Sequence, residues 1–221
     1  MATVLEDTPN PFLGRIFREL RSPDLQRDRH RFRENLRLLG TILGYEVAKT
    51  LPTTVIEAAT PLGVRSLRIL DQEPVLCAIL RAALPFWDGM LEVFRSADSM
   101  IIGASRREGK RSRGSMEMTV DFTYRALPKA DGKDWIMVDP MLATGSTLIG
   151  VYKELRDRGM KPRRLIVASA IAYRGAFDRL KAAMPEVEIW SCAADDQLND
   201  DGYIVPGLGD AGDLCFGEKH P

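Results

Sequence analysis

In the run WIMVDPMLATGST an apolar stretch stops at a single carboxylate, Asp139, and turns polar. Thr144, Gly145, Ser146 and Thr147 then lie between a strand-like run and a helix-like run. Free backbone N–H groups and the positive end of the helix dipole make such a junction a phosphate site. Gly145 admits close backbone approach, and the three hydroxyls add donors. On composition alone the same residues read equally well as a capped helix start with no ligand. The loop is not a Walker A sequence, because no Gly-Lys-Ser/Thr follows at the required spacing. GLGDAG, residues 207–212, matches G-x-G-x-x-G, but a dinucleotide site needs a preceding strand and a following crossover helix. Only nine residues remain after it.

Two further groups have the right character to join Asp139. Arg81 follows the apolar run VLCAIL, and a tail rich in Gly and Asp, which reads as an ordered loop region, follows VEIWSCA. That tail holds six Asp and no Lys or Arg from Asp195 to Asp213. Asp195, Asp196, Asp200 and Asp201 read as a solvated face. A basic run, SRREGKRSRG, carries five basic residues and one acidic one. It lacks the interleaved aromatics of a nucleic-acid surface, so no nucleic-acid partner is expected.

The elements that must position these residues alternate. SPDLQRDRHRFRENLRLLGTILGYEVAKT reads as a helix capped by Ser22, with Pro23 and Asp24 in its first turn. PVLCAIL, SMIIGAS, WIMV, RLIVASAI and VEIWSCA read as strands, most of them continuous apolar runs of the kind buried parallel strands show. PFWDGMLEVFR, STLIGVYKELRDRG (ending at Gly159) and RGAFDRLKAAM read as helices. SMEMTVDFTYRAL reads as a half-exposed strand with Met116, Met118, Val120, Phe122 and Tyr124 on one face. Such alternation builds an α/β fold, a mostly parallel central sheet flanked by helices, with ligands at the C-terminal strand ends. Arg81, Asp139 and the acidic tail all fall at those ends.

The chain has 221 residues, zero formal net charge and 45% hydrophobic residues, as an ordinary soluble globule has. Cys77, Cys192 and Cys215 are scattered and odd in number, which fits a reducing cytosol. No apolar run is long enough to span a bilayer, and no signal-peptide pattern opens the chain. A cytoplasmic protein is expected.

VDPMLATGST resembles the phosphoribosyl-diphosphate (PRPP) loop of type I phosphoribosyltransferases, and its Asp-Pro form resembles that of uracil phosphoribosyltransferases. GYIVPGLGDAGD resembles the uracil-binding segment of that family, and ILRAALPFWDGML and RFRENLRLLGTILGYEVAK are similar to it too. The resemblance implies one phosphoribosyltransferase domain over residues 1–221. Residues 1–50 would be an N-terminal helical segment, and residues 195–221 a C-terminal base-binding hood. A β-rich flexible loop would lie between them in sequence. It implies transfer of phosphoribose from PRPP to uracil, giving UMP and pyrophosphate. It places the 5′-phosphate on residues 144–147 and the rest of the PRPP on Asp139, Pro140, Met141, Leu142 and Ala143, with the ribose hydroxyls near Asp139. Arg81, and Arg106 or its neighbour Arg107, would meet pyrophosphate. Uracil would lie against the backbone of Ile204, Gly209 and Ala211, with Asp210 beside the base and ribose. Asp210 and Arg81 are the expected catalytic groups. Mg²⁺ would be carried mainly by PRPP, since Pro140 stands where most type I enzymes have a second acid. GTP is a candidate effector, and a homodimer or larger assembly is expected. The sequence departs from the family at Ala83-Leu84, at Gly145-Ser146-Thr147 and in SRREGK. Alternatives are a degenerate relative that binds nucleotide or RNA as a regulator, or an enzyme for another nucleobase.

Overall fold

The computed structural model describes residues 2–107 and 119–218, and the side chains of all of these but 105–107 and 119–120. In chain order the first elements are β1 (Ala2–Val4), a short 3-10 turn, α1 (Pro11–Arg21), α2 (Arg29–Ala48), β2 (Thr53–Thr60), β3 (Gly63–Leu70) and β4 (Val75–Leu80). Then come α3 (Ala83–Leu91), β5 (Asp98–Arg107), β6 (Thr119–Ala126), β7 (Asp134–Val138) and β8 (Met141–Leu142). The last are α4 (Ser146–Asp157), β9 (Arg164–Tyr173), α5 (Ala176–Ala183), β10 (Glu188–Asp195), β11 (Gln197–Leu198), β12 (Ile204–Val205) and α6 (Ala211–Phe216).

The main sheet runs β1-β10-β9-β7-β4-β5-β6, with β8 also pairing β9. Every pairing in it is parallel except β5 with β6. The central strands are apolar on both faces because both are covered. In β4, Leu76 and Ala78 join a core under α1, α2 and α3, while Val75, Cys77 and Ile79 join one under α4 and α5.

Three expectations need correction. Ser22 does not start the long helix. It closes α1, its N–H donating to Arg18 O at 3.1 Å, and α2 begins at Arg29, where the Asp28 side chain accepts from Arg31 N. Proline at position 23 suits a helix start but suits the turn between two helices as well. The alternation of residues 116–124 does not run through β6, where Tyr124 is 54% exposed. The register slips by one between Gly103 and Ala104, leaving Thr123 unmatched, and a bulge of this kind sends the following side chain to the other face. Met116 and Met118 lie outside the described residues, whereas Met100 is buried core. The tail after β10 is not all loop either, since it holds the β11–β12 ribbon and α6.

The elements not read from the sequence include β1, the 3-10 turn, β8 and two larger features. One is α1, opened by Asn10, whose side chain accepts from Phe12 N and Leu13 N, with Pro11 first in the helix. The other is the antiparallel ribbon β2–β3, which stands as its own two-stranded sheet.

Candidate active site

The parallel register brings the predicted residues to one rim. Val138 pairs with Ala78 of β4 and Ala168 of β9, so Asp139 leaves the sheet beside the end of β4, where Arg81 follows. Asp139 N donates to Ala168 O at 3.1 Å, and Ile171 N donates to Pro140 O at 3.0 Å. Pro140 therefore sits at a step in the ladder, between β7 and β8, and its carbonyl is still used. The Asp139 carboxylate accepts from Met141 N at 3.2 Å. Met141 and Leu142 then resume parallel pairing with Ile171 and Ala172, and Ala143 turns the chain with its N–H on Met141 O.

Gly145 is the N-cap of α4 and is left-handed, with φ +73. A Cβ there would lie 3.0 Å from Leu180 Cδ2 of α5. The glycine is needed for the backbone conformation and for its fit against α5. Thr144 and Ser146 share a hydroxyl hydrogen bond of 2.9 Å, and Ser146 N points at Thr144 Oγ1 at 3.4 Å. Thr147 occupies the second position of α4. The result is a short polar loop on a helix N-terminus, with its backbone fixed before any anion arrives.

The second half of the site comes from the tail. Ile204 is buried in β12, Gly207 and Gly209 both have positive φ, and Asp210 caps α6 by accepting from Asp213 N at 2.9 Å. Ala211 N donates to Met141 Sδ at 3.2 Å, so the tail touches the loop after β7 across 70 residues. A thioether is a weak acceptor. Arg81 Nη2 donates to Asp213 Oδ1 at 3.0 Å and to Gly217 O at 3.2 Å, while its Nε is buried without a partner among the described residues. Both expected catalytic groups border Gly212, whose Cβ position is 3.1 Å from Asp210 Oδ1 and 4.0 Å from Arg81 Nη2. A cavity of about 450 Å³ lies between Gly209, Asp210 and Asp213 on one side and Gln26 and Arg27 of the α1–α2 connection, with Arg29 at the start of α2, on the other. That connection was not among the expected site residues.

Arg106 and Arg107 are in β5 by backbone, but their side chains, and the rest of the basic run, lie outside what is described. Asp195 departs from expectation. It is not a solvated residue but is 11% exposed and paired with Arg21, whereas Asp196 is 81% exposed. GLGDAG does lie between β12 and α6, yet β12 pairs only with β11, antiparallel, and no parallel crossover follows. The three thiols are free and buried, and burial pushes those of Cys77 and Cys215 up to about 12.

A parallel sheet that offers a phosphate-type loop after one strand, an arginine after its neighbour and a C-terminal hood over both is the architecture of type I phosphoribosyltransferases. The orotate phosphoribosyltransferase of Mycobacterium tuberculosis in complex with PRPP shares the fold, with a TM-score of 0.52, 13% identity and 87% of this chain and 95% of that one covered. The AQ2163 protein of Aquifex aeolicus is nearer, with a TM-score of 0.83, 31% identity and 98% of both chains covered. The family model of uracil phosphoribosyltransferase matches residues 8–218. A uracil phosphoribosyltransferase of Thermococcus gammatolerans is 42% identical over 94% of this chain and 90% of its own. The chain belongs to the uracil phosphoribosyltransferase family.

Proposed function

We propose that the chain transfers the phosphoribosyl group of PRPP to N1 of uracil, releasing pyrophosphate and forming UMP. The observation that carries this reading is the 3.2 Å contact of Ala211 N with Met141 Sδ, which sets the base-type segment against the phosphate-type loop. Residues 144–147 take the 5′-phosphate and Asp139 faces the ribose hydroxyls, with residues 140–143 shaping the loop between. Arg81 and Arg106 draw charge off the departing pyrophosphate. The bond from C1′ to the pyrophosphate oxygen breaks as N1 attacks, and the N1 proton passes to the Asp210 carboxylate in this reading. Preformed charge stabilisation and positioning supply most of the rate. The Ile204, Gly209 and Ala211 backbone reads the pyrimidine edge, so a base with the wrong donor pattern leaves buried groups unpaired.

Among the described residues no three Asp, Glu, His or Cys side chains converge as a metal cage. Such a site fits a Mg²⁺ ion carried on diphosphate oxygens and water, a role suited to an ion that dehydrates reluctantly. In this reading Asp139 and Asp210 would hold its waters, and the bound ion would neutralise the leaving group.

The chain also self-associates in this reading, and the β2–β3 ribbon supports it. Ile56, Leu67 and Ile69 share one exposed face, and Leu62 at the tip is 100% exposed. An isolated two-stranded ribbon is marginal in water, so a second copy covering this face accounts for it. No helix among the described residues is long and apolar enough to cross a membrane, and the reading places the enzyme in the cytosol, where free thiols persist.

A steady-state assay with PRPP and Mg²⁺ tests the function. Product should form with uracil and not with purines, and adding GTP to the same assay tests the effector expectation. Tight nucleotide or RNA binding with no turnover of any base would replace the enzyme with a regulator. Sedimentation of the wild type against a variant with Ile56, Leu67 and Ile69 changed to Ser tests the ribbon.

A further inference from the structure

The tail is held at its first turn by a pair of charges that belongs to neither of the motifs above. Asp195 ends β10, and Arg21 ends α1. Arg21 Nη1 donates to Asp195 Oδ2 at 2.7 Å and Nη2 to Oδ1 at 3.1 Å, a two-pronged pair. The same two side chains also grip one residue of the tail. Gly207 N donates to Asp195 Oδ2 at 2.9 Å, and Gly207 O accepts from Arg21 Nη1 at 3.3 Å. Gly207 is thus read through both its donor and its acceptor, much as a bound ligand is. Its φ of +55 and the 2.0 Å approach of Ile204 O to its Cβ position leave room for no other residue.

We propose that the Asp195–Arg21 pair positions the base-reading turn, fixing the backbone of Ile204 and Gly209 from Gly207 between them. This rests on the reading of residues 204–211 as the uracil segment. Asp195 is anchored by the sheet, since it pairs with Tyr173 of β9 and its carbonyl accepts from Arg174 N at 3.0 Å. Arg21 is fixed by its helix and lies over the Phe17 ring, 5.4 Å from the centroid. Both partners are mostly buried, at 21% and 11% exposure, so the pair is shielded from salt and holds a fixed geometry. The pair's hydrogen bonds to Gly207 lie on the tail, so it acts on the base and not on PRPP. These are positioning residues, acting through Gly207.

The test uses the full chain with Asp195→Ala, Asp195→Asn and Arg21→Lys. For Asp195→Ala the KM for uracil should rise about ten- to a hundred-fold, as for loss of charge-assisted hydrogen bonds. The KM for PRPP and the kcat at saturating uracil should stay within about twofold of wild type. Asn keeps an acceptor for Gly207 N and should recover part of the loss. Amide exchange is measured alongside, with protection lost at residues 204–209 and kept in β10 and α1. A parallel rise in both KM values, or exchange spreading through α1, would make the pair a structural staple and overturn the proposal. Unchanged uracil KM and unchanged exchange would overturn it too. If the wild type fails to use uracil, the functional reading falls. The exchange pattern then still decides whether the pair sets the turn.

Discussion

The phosphate-type loop and the base-type tail meet at Met141 and Ala211, yet they are held by different means. The loop of residues 139–147 is fixed by its own neighbours: ladder bonds to β9, a hydroxyl pair two residues apart, and a left-handed glycine opening α4. The tail is fixed by side chains from far away in the chain. Arg21 holds its first turn, Arg33 of α2 donates to Cys215 O at 2.7 Å, and Arg81 donates to Gly217 O. Carbonyls at a helix C-terminus favour cations, so two guanidinium groups at the end of α6 are well placed. A site divided in this way has a rigid half for the substrate part common to many reactions. Its other half, the one proposed to choose the base, is held by charged side chains from distant segments together with the burial of Ile204, Leu208, Ala211 and Cys215 in the core.

The largest effect is expected from Gly145→Val. A β-branched residue in the left-handed region costs about 1–2 kcal/mol, and its Cβ would press on Leu180. Calorimetric titration should find PRPP binding weakened by about a hundred-fold or more, since a shifted helix N-terminus misplaces every donor at once. The melting temperature should drop as well. Normal PRPP affinity in this variant would remove the loop from the site. Asp210→Asn comes next. Asparagine retains an oxygen for Asp213 N, so the cap on α6 and the uracil KM should survive. Loss of the carboxylate as proton acceptor and charge should lower kcat by about 10²-fold. A raised uracil KM at normal kcat would mean that Asp210 only shapes the pocket.

A smaller effect is expected from Arg33→Met, which removes the donor to Cys215 O while keeping the aliphatic stem. The bond is partly exposed, so the loss should lie below the roughly 1.5–3 kcal/mol of a charged hydrogen bond. That corresponds to a several-fold rise in the KM for uracil with PRPP unaffected. An equal rise for both substrates would erase the distinction between the two halves.

Much of this contrast follows from what a sequence can carry. The loop is local, so WIMVDPMLATGST displays its strand, its turn and its helix start in order, and Arg81 and Asp139 fall at strand ends for the same reason. The tail was recognisable as a motif, but its supports were not. Nothing in the spacing of Arg21, Arg33 and Asp195 signals that they converge, because the contacts span 174 and 182 residues. Asp195 lies in a run of acids and looks solvated until α1 is placed beside it. α1 itself had a usable signal in Asn10-Pro11. The β2–β3 ribbon had β-branched residues but no buried face within the chain, so hydrophobic patterning had nothing to point toward. The bulge at Thr123 changes the face of Tyr124 without changing composition, and periodicity alone does not register it.

The smallest effect is read by a thiol in each half. Cys215 lies in α6 of the tail and Cys77 in β4 of the sheet, both fully buried, and burial holds both near 12. At pH 8 neither is ionised while covered. In an opened segment the thiol returns to its ordinary pKa of about 8.5, and the thiolate then reacts. The folded form therefore keeps a proton that the opened form loses. Stability of the covered state falls as pH rises above about 8.5, and labelling should speed up in the same direction. If the tail opens by itself, Cys215 should react with an alkylating reagent well before Cys77 and Cys192. Arg33→Met should accelerate Cys215 alone, by about the same factor as it raises the uracil KM, since both report the same loosened hold on α6. Mass spectrometry of the labelled peptides separates the three sites. If all three react together, at the rate of global unfolding, the tail is no looser than the sheet. The ionic contacts would then bind it as firmly as the ladder binds the loop.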